Sequence, residues 1–349
     1  MNLQKIGFLG NFFSGKGCFM ATLKDIAKIA NVNISTVSKA LRDSSDLSEH
    51  TKRTIRTIAD ELHYPYTADG ESRTSNVVGV IMPDIISPYY NAVLQSLQNC
   101  LLESGYRILV MYSLFQESEE STCYKELLRH KICAVICFSG SSVISPQLRK
   151  LVQKSSIPFL MVASDADCDF CDNVYIDQWK SVTIAANHLI DLGHTKIAYI
   201  GEPLSAPRRK AFITTIQAKQ IDIPPEYIVE VDARFEECGY AGMKALLQLP
   251  NRPTGVFAAY DGIAIGAMRA IQEAGLQIPS DISIIGVDDS HVGKYLSVQL
   301  TSVTEPTQDL GELAADMILQ KMANRRKFMQ NIKLQPTLKI RESTASPAK

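Results

Sequence analysis

From Thr22 to Leu41 the chain reads TLKDIAKIANVNISTVSKAL, with apolar residues returning at helical spacing. Leu23, Ile26, Ala27 and Ala30 fall on one face of a first helix, and Val37, Ala40 and Leu41 on the inner face of a second. Ile34, Ser35, Thr36, Ser38 and Lys39 are left pointing outward or flanking that face. Asn31 sits at the turn between them, a residue type that tolerates left-handed backbone. Asn33 or Ser35 can cap the second helix. A third amphipathic helix is predicted over Ser48 to Leu62, burying Thr51, Ile55, Ile58, Ala59 and Leu62. Together these predict a helix-turn-helix, a motif whose second helix enters a DNA major groove.

After Val77 the pattern changes to short apolar runs alternating with helical stretches. Runs rich in β-formers cover Val77–Met82, Ile108–Met111, Ala134–Phe138, Phe159–Val162, Ile197–Ile200, Gly255–Ala259 and Ile282–Val287. Helical patterns between them include Tyr90–Ser104, Ser118–Arg129, Trp179–Leu192, Arg208–Lys219, Glu236–Leu249 and Gly262–Ala274. Such alternation predicts parallel sheets with helices on both faces. The fold expected is an all-α helix-turn-helix headpiece followed by an α/β body of two doubly wound parallel-sheet lobes. Open α/β sheets bind ligands beyond the carboxyl ends of their strands, so two facing lobes make a cleft for a small molecule.

Composition narrows this picture without changing it. At 349 residues the chain exceeds one ordinary domain. It has no run of about 18 apolar residues, so a membrane span is not expected. A net charge of -1 argues against indiscriminate polyanion binding. Between Met20 and Tyr64, Lys24, Lys28, Lys39, Arg42, Lys52, Arg53 and Arg56 face Asp25, Asp43, Asp46, Glu49, Asp60 and Glu61, so the headpiece is barely basic. DNA affinity would then rest on placed contacts and helix ends, with a moderate salt dependence. Eight cysteines in so long a chain suggest buried thiols in a reducing cytoplasm. Cys168 and Cys171 form a C-x-x-C beside Asp165, Asp167, Asp169 and Asp172, but no second pair of ligands accompanies them. The expectation there is an acidic surface loop, with a metal site or redox pair as the alternatives.

The first nineteen residues contain Gly10-x-x-x-x-Gly15-Lys16, similar to a phosphate-binding loop, with Gly17 where a hydroxyl residue would reach Mg²⁺. The apolar stretch there is short and broken by Asn11 and Ser14, a poor secretory signal. Residues 1–19 are expected to be disordered or untranslated, with Met20 the favoured start.

The opening TLKDIA and the recognition-helix STVSKAL resemble the headpiece of the LacI/GalR family of bacterial transcriptional regulators. The likeness runs on through VVGVIMPDIISPYY (77–90), HLIDLGHTKIAYIG (188–201), FAAYDGIAIGAMRAIQEAGLQIPSDISIIGVDD (257–289) and LTSVTEP (300–306). It implies a body like the periplasmic sugar-binding proteins, with three chain crossings between lobes. The domains implied are a headpiece at 20–64, a linker or degenerate hinge at 65–76, a ligand-binding and dimerisation body at 77–343 and a tail at 344–349. Within the body the N-terminal lobe is expected at about 77–177 plus 304–325, and the C-terminal lobe at about 178–303 plus 326–343.

The resemblance also implies roles for particular residues. Ile34, Ser35 and Lys39 would meet base edges, Lys39 donating to guanine without the rigid fork of an Arg. Thr22, Asn33, Thr36 and Ser38 would hold phosphates. Family members carry an Ala-Arg-x-Leu hinge helix whose Leu wedges into the minor groove. Here Ala68, Asp69, Gly70, Glu71 and Ser72 offer no wedge, so the hinge is either not helical or touches phosphates through Arg73 without bending DNA.

In the cleft, Ser87, Tyr89 and Tyr90 follow the first strand, with a Tyr either stacking on a ligand or packing under the helix. Arg208 matches the family's R-x-x-G-F arginine with Ala211 in place of Gly, Arg209 being the adjacent alternative. Asp288 matches the ligand-binding acid, and Asp177 and Asp261 are further candidates that could equally cap helices. Tyr260 replaces the usual Asn before Asp261. Arg234 stands where relatives often place a stacking aromatic, unless Phe235 takes that place. Pointing into the cleft, Arg234 would favour an anionic effector; pointing outward, it would be solvated.

The function implied is that of a homodimeric, cytoplasmic, sequence-specific DNA-binding regulator, a repressor whose operator affinity is controlled allosterically by a sugar or related metabolite. No catalytic residue, metal or cofactor is expected. The alternatives are a ligand-binding protein of the same fold with lost or altered DNA binding, and an enzyme using the Gly10–Lys16 loop.

Overall fold

In the computed structural model the structure describes residues 23–41, 43–61, 76–140, 144–162, 168–323 and 328–348. The chain divides into two compact units, residues 1–74 and 75–349. The linker residues 65–75, the extension 1–19 and Thr22 lie outside the described residues.

The first unit holds α1 (Leu23–Ala30), α2 (Ile34–Leu41) and α3 (Glu49–Glu61). Ile26, Val37, Ala40, Ile55 and Ala59 are buried at their centre, and Leu23, Ala30, Val32, Leu47 and Ile58 close the rim. Asn31 has φ 53°, so the turn between α1 and α2 uses the conformation its side chain tolerates best. Ser48 starts α3, its Oγ accepting from the Thr51 amide at 3.2 Å. Asp43 then ties the loop before α3 to that helix, taking Lys52 Nζ at 3.2 Å and Arg56 Nη2 at 2.6 Å. The ammonium of Lys52 is thereby drawn into a nearly buried site, where it also meets Glu49 at 2.9 Å.

The second unit contains two sheets. The first comprises β1 (Val77–Met82), β2 (Arg107–Tyr112), β3 (Ala134–Phe138), β4 (Phe159–Val162), β5 (Asp172–Ile176) and β11 (Asn331–Leu334), in the order β11-β5-β4-β3-β1-β2. The second comprises β6 (Ile197–Gly201), β7 (Ile228–Glu230), β8 (Gly255–Ala258), β9 (Ser283–Val287), β10 (Thr301–Thr304) and β12 (Thr337–Lys339), in the order β12-β10-β9-β8-β6-β7. All pairings are parallel except β10–β12. Strands such as β3 and β4 are buried along their whole length, because helices cover both faces of each sheet.

Around the first sheet lie α4 (Pro88–Glu103), α5 (Glu117–Arg129), α6 (Pro146–Lys154) and α11 (Thr307–Met322). Around the second lie α7 (Gln178–Asp191), α8 (Ala206–Ala218), α9 (Phe235–Leu247) and α10 (Asp261–Glu273). The α9–α10 pair is close because two glycines face backbone. A Cβ on Gly239 would sit 1.8 Å from the Ile263 carbonyl oxygen, and one on Gly266 would sit 1.9 Å from that of Glu236.

The chain passes between lobes after β5, after β10 and between β11 and β12. The last crossing corrects the expected lobe limits. Residues 331–334 pair with β5 in the N-terminal sheet, so the return falls at Gln335–Pro336 and not near 326. Strand β5 also shows why it escaped the apolar pattern. Its Asp172 is buried against Lys321 Nζ at 2.8 Å and the Gln330 amide at 2.7 Å, and its buried Asn173 bonds Asn331.

Candidate functional sites: a polar helix face and an inter-lobe cleft

On α2 the inward face is Val37, Ala40 and Leu41, and Asn33, Ile34, Ser35 and Lys39 are exposed on the other side. Thr36 and Ser38 are half-buried along its flank. Asn33 occupies the cap position, its carbonyl accepting from the Thr36 and Val37 amides at 3.0 and 3.1 Å. Ile34 leaves 43% of its surface in water, a conspicuous apolar side chain on an otherwise polar face. Lys39 is paired with Asp46 at 2.9 Å, so the one cation of this helix carries an intramolecular counter-ion.

The cleft is built at the carboxyl ends of the parallel strands, where side chains of the two lobes meet. From the C-terminal lobe, Arg208 near the start of α8 is only 5% exposed. Its Nη1 donates to the Ala259 carbonyl at 2.6 Å, and its Nη2 to Glu305 Oε1 at 3.2 Å. Asp288 Oδ1 lies 3.8 Å from Nη1, and the Tyr260 ring lies under the guanidinium at 4.7 Å. Burial opposes the charge on Arg208, but Glu305 and Asp288 outweigh it and raise its pKa. Burial raises the Asp288 carboxyl well above the usual range, and Arg208 only partly offsets that. The Tyr260 phenol is pushed up to about 12, also by burial.

The N-terminal lobe contributes Tyr89 and Tyr90. Their rings meet edge-on at 5.3 Å, and Tyr90 leans on Phe138 at 6.3 Å. Burial raises both phenols; Tyr89 lies within the field of Glu305 and Arg208, and Tyr90 within that of Tyr260 and Asp84. Tyr90 is thus partly a packing residue and partly a wall of the cleft. Beside Arg208, a small cavity of about 40 Å³ is lined by Gln178, Trp179 and Pro207 as well.

A loop after β9 aims Asp288 at Arg208. Asp288 has φ 112° and Asp289 φ 52°, backbone angles that side-chain-bearing residues seldom adopt. Side-chain contacts from Asp261 and Arg341 help to hold this turn. Asp261 Oδ2 accepts from the Ser290 amide at 2.6 Å, Asp261 Oδ1 from Ser302 Oγ at 2.7 Å, and Arg341 pairs with Asp289.

Known proteins share this geometry and this sequence. Residues 22–65 match the description of bacterial regulatory proteins of the lacI family, and residues 186–344 that of a periplasmic-binding-protein-like domain. The HTH-type transcriptional repressor PurR of Escherichia coli O139:H28 is 31% identical over 335 residues, covering 93% of this chain and 97% of the relative. The chain belongs to the lacI family. It is a transcriptional regulator that carries the family's DNA-binding domain. PurR of Klebsiella pneumoniae is 32% identical over the same length. Among solved structures, the lac repressor dimer bound to operator and the anti-inducer ONPF superposes with a TM-score of 0.69 at 23% identity, covering 94% of this chain and 100% of that one. A LacI family regulator from Enterococcus faecium with bound ribose gives 0.66 at 26% identity, covering 77% and 99%.

The residues expected in the cleft divide into those gathered around Arg208 and those spent on local structure. Arg208, Asp288, Tyr89, Tyr90 and Tyr260 converge. Arg209 does not; it pairs with Glu230. Asp177 caps α7, taking the Lys180 amide at 2.9 Å and Lys333 at 3.0 Å. Both oxygens of Asp261 are consumed by the loop it braces, and burial lifts its pKa to about 7. Ser87 caps α4, its Oγ accepting from the Tyr90 amide at 3.5 Å and its own amide donating to Asp84 at 2.9 Å.

Arg234 neither hangs in solvent nor offers a free charge to the cleft. It lies between the rings of Phe115 and Phe235, at 5.2 and 4.6 Å, and is held by Glu202 and Asp84.

Sequence reasoning missed Asp84, Glu202 and Glu305. Each follows the carboxyl end of a parallel strand (β1, β6 and β10), which is the signal that could have found them. The described part of the C-x-x-C segment departs from an all-surface loop: Cys168 and Cys171 are buried, 4% and 3% exposed, while Asp169 between them is exposed, and Asp165 and Asp167 lie outside the described residues. Among the described residues no group of His, Cys, Asp and Glu could hold a metal ion, and no helix is long and apolar enough to cross a membrane.

Proposed function

We propose that this regulator is a repressor that binds a pseudo-palindromic operator as a homodimer, and that a small effector in the cleft changes its grip on DNA. Ile34, Ser35 and Lys39 would read base edges, with Asn33, Thr36 and Ser38 on phosphates and Thr22 as the preceding phosphate contact. A two-fold dimer presents two such heads to two half-sites. The effector acts only insofar as it prefers one arrangement of the lobes, and its coupling to DNA is reciprocal.

The observation that carries the effector reading is the charge balance of the cleft. Two guanidiniums, Arg208 and Arg234, already meet four carboxylates, Asp288, Glu305, Asp84 and Glu202. Asp288 Oδ1 and Glu305 Oε2 are buried and accept no hydrogen bond. The bare Glu305 oxygen calls for a donor from the ligand, and the two guanidiniums that a phosphate would seek are already paired. The effector is therefore a neutral or cationic, hydroxyl- or amine-bearing molecule of sugar size, stacked on Tyr89 or Tyr260. Ribose in the Enterococcus faecium relative is consistent with a neutral polyol.

Thermal shift with matched sugars, amino sugars and sugar phosphates, with nucleobases alongside, tests this. Effector at a hundred times its Kd stabilises by about 2.7 kcal/mol, and Arg208→Ala or Asp288→Ala abolishes the shift. A sugar phosphate that outperforms its parent sugar overturns the charge argument. The sole tryptophan, Trp179, lines the cavity beside Arg208 and supplies a fluorescence readout. For the DNA reading, gel shift on the gene's own upstream region should show selectivity over random duplex. That selectivity should survive Lys16→Ala and deletion of residues 1–19, which an enzyme using the Gly10–Lys16 loop would not predict.

A further inference from the structure

The C-x-x-C pair stands apart from both the helix face and the cleft, and nothing in the regulatory reading uses it. Cys168 Sγ and Cys171 Sγ lie 3.1 Å apart, both as free thiols, just ahead of β5. Bonded sulfurs sit at about 2.05 Å, so a movement of about one ångström closes the bridge without relocating either element. The backbone already holds the two sulfurs facing each other: Cys168 Sγ is also 3.4 Å from the Cys171 carbonyl. The short loop between them is anchored from outside, where Arg149 pairs with Asp169 and stacks on Phe170 at 5.3 Å. On the far side, Asp172 is fixed by Lys321 and the Gln330 amide.

We propose that Cys168 and Cys171 form a reversible dithiol–disulfide site in the N-terminal lobe, oxidised by a peroxide. The two thiols are chemically unequal, as the step requires. The hydrogen bond from Cys171 lowers Cys168 to about 7, making it the thiolate nucleophile, whereas that same bond and burial raise Cys171. The Cys137 and Cys123 thiols, in the same apolar cluster, are raised by burial.

The chemistry balances in two displacements. The Cys168 thiolate attacks one peroxide oxygen; the O–O bond breaks, hydroxide leaves and takes a proton, and Cys168 becomes a sulfenic acid. The Cys171 sulfur then attacks Cys168 Sγ; the S–S bond forms, the S–O bond breaks, and the Cys171 proton departs in the water released. Two thiols lose two electrons and one peroxide becomes two waters. A dithiol reductant reverses the bridge by exchange.

The test uses the full chain, reduced and freed of reductant, then exposed to equimolar hydrogen peroxide and alkylated at intervals before peptide mapping. The expected result is a 168–171 disulfide that forms at least about tenfold faster than any other cysteine reacts, and that dithiothreitol reverses. Cys171→Ser should stall at a Cys168 sulfenic acid that dimedone traps; Cys168→Ser should leave Cys171 reduced. The proposal is overturned if Cys168 and Cys171 remain alkylatable while other cysteines oxidise, or if Cys168 bridges to Cys137 or Cys123 instead. The wild-type kinetics decide the matter even where a serine variant fails to fold.

Discussion

Arg234 of the C-terminal lobe reaches Asp84 of the N-terminal lobe, with both terminal guanidinium nitrogens 3.3 Å from Oδ2. Asp84 is simultaneously the organiser of its own loop, its Oδ1 accepting from the Ile86 and Ser87 amides at 3.2 and 2.9 Å. One carboxylate therefore couples the start of α4, where Tyr89 and Tyr90 sit, to the opposite wall of the cleft. Glu202 shares the guanidinium from the C-terminal side at 2.9 Å, so Arg234 also has a partner within its own lobe.

This arrangement predicts that Asp84→Asn loosens closure while keeping the loop, since the amide oxygen still accepts from Ile86 and Ser87. Effector affinity should fall by about five- to tenfold, and small-angle scattering should show a more open body. An unchanged affinity and scattering profile would remove the latch from the mechanism.

On the proposed reading of the headpiece, Lys39 leaves Asp46 to reach DNA. Asp46→Asn frees it and should raise operator affinity by about two- to fivefold, the worth of an exposed ion pair. Lys39→Gln should lower affinity; if Lys39 contacts a phosphate and not a base, the slope of log affinity against log salt shrinks by about 1. Gel shifts at several salt concentrations separate the two.

Stability of the body should fall as pH rises. Burial lifts Glu120 to about 7 from its ordinary 4.5, and Asp261 to about 7 from 3.8. Between those limits the folded chain holds protons that the unfolded chain has released, so each unit of pH costs stability. Glu120 has one oxygen without a partner and only a long bond, 3.3 Å, from Ser139. Glu120→Gln should therefore flatten the slope and stabilise the body at pH 8, by on the order of 1–3 kcal/mol. Urea titrations at pH 5, 6.5 and 8 would register it, and a slope identical to wild type would refute the assignment.

The α9–α10 contact supplies a packing test. Gly266→Ala drives a methyl into the Glu236 carbonyl, and the helices must separate. A loss of about 1–3 kcal/mol or more is expected in the urea midpoint of the body. Calorimetry should show the headpiece melting where it did before, because its core draws only on residues of the first unit.

Local patterns carried far in this chain because they are repeated. The helix-turn-helix was legible because the residues of its core, Ile26, Val37, Ala40, Ile55 and Ala59, recur at helical spacing within one short stretch. Asn31 was legible because a single residue's backbone preference decides that turn. The runs that became β1, β3, β4 and β9 were legible because burial on both faces demands unbroken apolar sequence. The motifs around Arg208 and Asp288 singled out two residues that the fold brings within 3.8 Å of each other.

What the sequence could not determine is which charge meets which. Asp177, Asp261 and Asp288 are all acids near strand ends, and only the folded backbone turns one toward Arg208 and spends the other two on amides, a hydroxyl and a lysine. Arg234 gained its role from Asp84, 150 positions away, and Cys168 and Cys171 exchanged an expected surface loop for a buried contact. Periodicity is a property of neighbouring residues, so the chain alone settles elements and their faces. Pairing between distant side chains depends on distances of a few ångströms, and only tertiary packing sets those.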